Sequence, residues 1–169
     1  MTHMNLDPGK PATLERNLGI HVRPRSIGFV VIEDRAVLDC GARSCDLSQF
    51  DDCLGERFLR ILRTYGPSVV IVLGPGRHAE RKKRSAVTNA IRTATRKQNI
   101  SMVHVSQSAV RRYFRPQNAA TKYEIAQAVA IILPELGWQL PAKRKPWQSE
   151  HHRMTIFDAA AAVITHTML

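Results

Sequence analysis

The sequence predicts an α/β fold built on one five-stranded mixed sheet with helices on both faces. Two observations carry that prediction. Three β-rich runs follow one another near the start with only short turns between them, which makes an antiparallel meander. After them, helical and strand patterns alternate, and two further strands reached through helices need crossover connections of the parallel kind.

Met1 to Arg16 mixes Pro8, Gly9 and Pro11 with polar residues and has no sustained period, so it reads as a flexible tail ahead of one domain over residues 17–169. The three strands are Leu18 to Val22, Ser26 to Glu33 and Ala36 to Ala42, divided by Pro24 and by Glu33-Asp34-Arg35. From Phe50 the period changes. Leu54, Phe58, Ile61, Leu62 and Tyr65 recur at intervals of three and four, an amphipathic helix that Gly66 and Pro67 end. Ser68 to Leu73 is almost continuous Val and Ile, as in a strand covered on both faces.

A second helix is expected from about His78 to Gln98, with Val87, Ala90, Ile91 and Ala94 inward and a strongly basic outer face. Ser101 to Val105 is the fifth strand. Thr121 and Glu124 have the spacing of a capping box, which starts a helix that turns Ile125, Val129, Ile132 and Leu133 inward and stops at Pro134. Trp138 to Ser149 is a loop containing Pro, Lys and Trp. A last, small-residue helix covers about Ile156 to Thr167.

The 169 residues are enough for one full core and too few for two ordinary domains. Lys and Arg number 25 against 14 acids, and the resulting charge of +11 attracts polyanions, with nucleic acid ahead of an anionic membrane surface. No stretch approaches the roughly 18 consecutive apolar residues of a membrane helix, and the first residues lack an apolar signal core, so the expected location is the cytoplasm. Cys40, Cys45 and Cys53 are odd in number and lack zinc-ligand spacing, which leaves reduced thiols as their reading.

Two segments carry a family resemblance. Leu18 to Ile32 reads strand, turn, strand with Gly28 seven residues after His21, and Phe157-Asp-Ala-Ala-Ala-Ala-Val-Ile-Thr-His166 is a buried helix with one acid near its start. Together they resemble the RuvC-type Holliday-junction resolvases, a branch of the RNase H-like nucleases. The resemblance extends from Leu18 to His166 and implies the RNase H-like fold. It also covers Gln107-Ser-Ala-Val-Arg111 and Ala119-Ala-Thr-Lys122, which are similar to the family segments that place two basic residues near the scissile phosphate. Arg25, in the turn after the first strand, stands where the family often has arginine.

The family's four metal-binding acids fall at His21, Leu73, Thr155 and Asp158, so one of the four is acidic here. Two-metal hydrolysis needs converging carboxylates around two ions roughly 4 Å apart. The resemblance implies a divalent ion, magnesium or manganese, and the replacements leave open that none is bound. A mixed site would join His21 and Asp158 to Glu150, His151 or His152, since imidazole suits softer ions than magnesium. In that case Asp158 is a ligand, His21 a ligand or base, and Lys122 stabilises charge on phosphate.

Each residue has a plainer role beside this one. Asp158, three after Thr155, has capping-box spacing; His21 on a buried strand fits a neutral, hydrogen-bonded core histidine; His151 and His152 fit an exposed polar pair. The expected partner is branched DNA, with structured RNA as the alternative, and a twofold homodimer is consistent with the resemblance. Cations gather at Arg77 to Arg84, at Arg111 and Arg112 with Arg115, and at Lys143, Arg144 and Lys145, giving phosphate affinity without sequence preference. Trp138 and Trp147 bracket the last group, with Trp138 expected to close the core beneath Pro134 and Trp147 free for either role. The competing function is an RNase H-fold module without catalysis that serves as an architectural or partner-binding element.

Overall fold

Side chains alternate across a strand, and in this chain that alternation decides which residues meet which helices. The computed structural model describes residues 15–44, 55–74 and 81–168, apart from the side chains of 81–85. Five strands, β1 (Arg16–Arg23), β2 (Ser26–Glu33), β3 (Ala36–Ser44), β4 (Val69–Leu73) and β5 (Ser101–Val105), form one sheet in the order β3-β2-β1-β4-β5. β1 to β3 are the antiparallel meander, while β4 and β5 run parallel to β1. This is the expected mixed sheet.

Leu18, Ile20 and Val22 of β1, Phe29 and Val31 of β2, and Val70 and Val72 of β4 pack under α1 (Glu56–Tyr65) and α2 (Arg81–Lys97). The intervening residues, Val30, Ile32, Ile71 and Leu73, face α3 (Gln107–Phe114), α4 (Lys122–Ile132) and α5 (Met154–Met168). Both faces are thus sealed, as a continuous apolar β4 requires. Phe114 and Phe157 are fully buried on the second face, and each such side chain contributes about 1.5–3 kcal/mol by leaving water.

α5 lies directly on β1 and β2 because both strands lack a side chain where it crosses. A Cβ on Gly19 would stand 2.6 Å from Ala159 O, and one on Gly28 would stand 2.3 Å from Thr155 Oγ1. The run Ala159–Ala162 completes the close approach with small residues. His21 pairs with Gly28 across β1 and β2, so this seat brings the first turn of α5 beside the C-terminal end of β1.

Several expectations are revised. Arg16, placed in the tail, begins β1 and pairs with Glu33 at 3.0 Å, while the tail residues before position 15 lie outside the described residues. The 107–114 segment is the helix α3, started by Ser106, whose hydroxyl accepts from Ala109 N. Its two buried residues, Val110 and Phe114, are too few to reveal a helical period. A 3-10 turn over Pro134–Gln139 buries Leu136 and Gln139 and turns Trp138 outward, 74% exposed, so Trp138 does not close the core. Leu54, Cys45, Cys53, His78 and the Arg77–Arg84 cluster fall outside the described residues or side chains; Cys40 is half-buried and free.

Candidate functional site

The C-terminal end of β1, the start of α4 and the approach to α5 converge on five charged or polar side chains. His21 is buried and its Nδ1 lies 2.9 Å from Asp158 Oδ2. Lys122 Nζ lies 2.7 Å from the same oxygen and 2.9 Å from Glu150 Oε2. Arg23 Nη1 donates to that Glu150 oxygen in turn. From Asp158 through Lys122 and Glu150 to Arg23 the charge therefore alternates in sign, two cations against two carboxylates, with His21 beside Asp158 at one end.

The local sequence explains each placement. Strand alternation turns Gly19, His21 and Arg23 to the α5 side, opposite Leu18, Ile20 and Val22. Lys122 is the first residue of α4, fixed by the expected capping box: Thr121 Oγ1 accepts from Glu124 N at 3.2 Å, and Glu124 Oε2 accepts from Thr121 N at 2.8 Å. Donation from the Thr121 backbone, then its side chain, then Ala120 N–H, holds the Glu124 carboxyl below the ordinary range. Asp158 precedes Ala159, which sits on Gly19, so its side chain emerges beside the seat of α5.

His21 Nδ1 and Asp158 Oδ2 are sealed from water, and neither has a partner aligned as a hydrogen bond. What holds them is distance and charge. Burial pushes the Asp158 carboxyl up, and the opposing pull of His21, followed by that of Lys122, more than offsets it, leaving the group below the ordinary carboxylate range.

The capping role considered for Thr155 and Asp158 is not realised. α5 begins at Met154, one residue before Thr155, whose hydroxyl donates to His152 O at 2.6 Å. His151 is exposed, stacks on His152 at 4.4 Å, and its Nδ1 accepts from Arg153 N at 3.2 Å. The structure thus brings His21, Lys122, Glu150 and Asp158 together and leaves His151 at the rim. Arg23 belongs to the cluster although sequence reasoning passed it over for Arg25. The signal was available in the alternation, since Arg23 is two residues beyond His21 on the same face.

A groove of about 630 Å³ opens next to the cluster, lined by Lys122, Lys143, Arg144, Gln148, Glu150 and His151 among others. Its outer wall is a closed turn: Arg144 Nη1 donates to Gln148 O at 2.8 Å, Lys145 N to Gln148 Oε1 at 2.9 Å, and Gln148 N to Lys145 O at 3.0 Å. Trp147 projects from it, 78% exposed, with Lys145 Nζ 5.5 Å from its ring centroid. Arg25 is exposed in the β1–β2 turn, where its carbonyl accepts from Ser44 Oγ. Arg111 and Arg112 are exposed on α3 and make no ion pair among the described residues.

The donors do not fit a pair of divalent ions. Among the described residues no three His, Cys, Asp or Glu side chains are placed to hold a metal. Leu73 is hydrocarbon, the Thr155 hydroxyl is committed to His152 O, and the two carboxylates share the Lys122 ammonium.

No family model matches the sequence, and no curated protein sequence does. Solved structures do match. Thermus thermophilus RuvC in complex with a Holliday junction substrate superposes with a TM-score of 0.67 at 19% identity, over 90% of this chain and 92% of that one. A second Thermus thermophilus RuvC structure gives 0.66 at 18% identity, over 90% and 93%. The yeast mitochondrial Holliday junction resolvase Ydc2 gives 0.64 at 9% identity, over 90% and 77%. No helix among the described residues is long and apolar enough to cross a membrane. With its five-stranded mixed sheet and the last helix seated on β1 and β2, the chain has the RNase H-like fold in the form of the RuvC-type resolvases.

Proposed function

We propose that this protein binds branched DNA of the four-way-junction kind through its sugar-phosphate backbone, with Lys143, Arg144 and Lys145 at the groove beside α4 as the principal contacts. The observation that carries the reading is the contrast in charge pairing at the site. Lys122 and Arg23 stand within ion-pair distance of carboxylates, whereas Lys143, Arg144 and Lys145 are exposed on the turn, where Arg144 spends its donor on a neutral carbonyl and Lys143 shares its field with the Glu124 carboxylate. Exposed cations on a preformed turn release counterions when they bind phosphate. Arg25, Arg111 and Arg112 are further exposed cations for the backbone, and Trp147 offers a ring on which an unpaired base at a branch point stacks.

The likeness to a RuvC structure holding a Holliday junction supports the junction as substrate class. A twofold dimer, each copy holding one side of the branch, follows from the same reading. The charge-balanced cluster favours binding over two-metal hydrolysis, so the protein acts as a junction-recognising or architectural element.

The test is fluorescence anisotropy with a four-way junction, a duplex and a single strand of matched sequence, together with a structured RNA, each over a range of salt. The junction is expected to bind about tenfold or more tighter than duplex, which is about 1.4 kcal/mol. Replacing Lys143, Arg144 and Lys145 by Ala lowers the salt slope by about 2.7, at about 0.9 per phosphate contact on duplex arms. Equal affinity for junction and duplex, or preference for RNA, overturns the reading.

A further inference from the structure

The carboxylate cluster carries its own cation. Lys122 Nζ addresses Asp158 Oδ2 at 2.7 Å and Glu150 Oε2 at 2.9 Å, and Arg23 reaches Glu150 from the other side. We propose that the Lys122 ammonium holds the place a divalent ion would take between these two carboxylates, so that the site is built to work without metal.

Three features argue for this beyond the two distances. The first is position: Lys122 opens α4 behind a complete Thr121–Glu124 capping box, so its backbone is fixed and its stem starts from a defined point at the rim. The second is charge. Asp158 and Glu150 supply two negative charges, and Lys122 and Arg23 already supply two positive ones. A divalent ion entering between the carboxylates would stand against both cations. The third is the coordination shell. Magnesium requires near-octahedral oxygen at about 2.0–2.1 Å. The other positions beside β1 offer no oxygen to complete it: β4 ends in Leu73, the Thr155 hydroxyl over Gly28 gives its proton to His152 O, and His21 Nδ1 lies 2.9 Å from Asp158 Oδ2.

An ammonium and a metal differ in what they permit. The ammonium neutralises and donates hydrogen bonds, but it does not clamp attacking and leaving oxygens together or acidify a bound water. The site therefore holds the α4–α5 junction in register at the edge of the groove, and phosphate binding there does not wait on an ion.

The experiment is thermal unfolding of the full chain, without nucleic acid, in chelator, in magnesium and in manganese, with sodium chloride matching ionic strength. Manganese calorimetry on the same samples gives a direct second readout. The unaltered protein is expected to shift by less than about 1 °C and to show no saturable heat. Lys122→Met exposes the two carboxylates to each other. It should melt lower in chelator and regain roughly 5–10 °C when manganese exceeds its dissociation constant a hundredfold. Lys122→Met combined with Asp158→Asn should lose that gain, and Lys122→Arg should remain unresponsive. Saturable manganese binding to the unaltered protein that Asp158→Asn abolishes would falsify the proposal, and that measurement needs no variant at Lys122 to fold. A Lys122→Met protein of unchanged stability and no metal response overturns it equally.

Discussion

The two cationic regions of this site, the ion-pair cluster at the end of β1 and the turn over residues 143–148, are neighbours with opposite designs. In the cluster every full charge has a counter-charge within ion-pair distance, and Asp158 and Glu150 are largely withdrawn from water. Buried charges persist only under that condition, because removing either partner leaves the other desolvated. On the turn, Arg144, Lys145 and Gln148 spend their hydrogen bonds on shaping the backbone, and the charges themselves stay exposed. One region's charges serve the fold, while the other's are exposed to a polyanion.

That separation breaks if substitutions in the cluster leave stability unchanged or if those on the turn reduce it. The largest effect is expected from Asp158→Ala, which leaves His21 and Lys122 facing a void: a loss of about 3–4 kcal/mol, read by chemical denaturation. The same carboxyl is held below its ordinary range in the fold. Its contribution is complete above the unfolded carboxylate value of about 4 and is lost as pH falls through the lower, folded value, because there the unfolded chain binds more protons. Asp158→Asn should flatten this part of the acid limb in urea melts taken at successive pH values.

Next comes Gly28→Ala, whose new methyl would meet both Oγ1 and the backbone carbon of Thr155 at 2.3 and 2.5 Å. Backbone cannot rotate aside as a side chain does, so α5 must lift, at about 3 kcal/mol. The cluster loosens with it.

Trp147→Ala tests the other region. The ring is 78% exposed, so the melting temperature should hold, while affinity for a junction with unpaired bases falls by roughly tenfold, within the 1–3 kcal/mol typical of a base stacked on an aromatic ring. A fully paired duplex should feel little change. The smallest effect belongs to Thr121→Ala, about 1 kcal/mol from the lost cap, measured by urea denaturation. If Lys122 depends on that cap for its position, Asp158→Asn and Thr121→Ala will be less than additive.

Much of the fold was legible because local chemistry dictated it. β2 and β5 have the limits their Val and Ile patterns indicate, and α4 begins where Thr121 and Glu124 place it. α3 escaped because eight residues with two apolar anchors give no period, although Ser106 was a readable cap. Trp138 was misplaced because a 3-10 turn follows Pro134, and its tight winding sends Leu136 inward in place of the indole.

Within the site, the chain by itself determined that His21, Arg23 and Gly28 share a sheet face, that Lys122 opens a helix, and that Asp158 lies in a small-residue helix able to approach closely. These follow from a period of two, a capping pair and side-chain volume, all properties of neighbours in sequence. Only the tertiary structure decided that Lys122 meets both Asp158 and Glu150, that Arg23 closes the series, and that His151 stays outside. Ion pairing changes within an ångström or two, and that separation is set by how deeply α5 settles on Gly19 and Gly28 and by where α4 starts relative to it. No local pattern records the distance between elements joined only by packing.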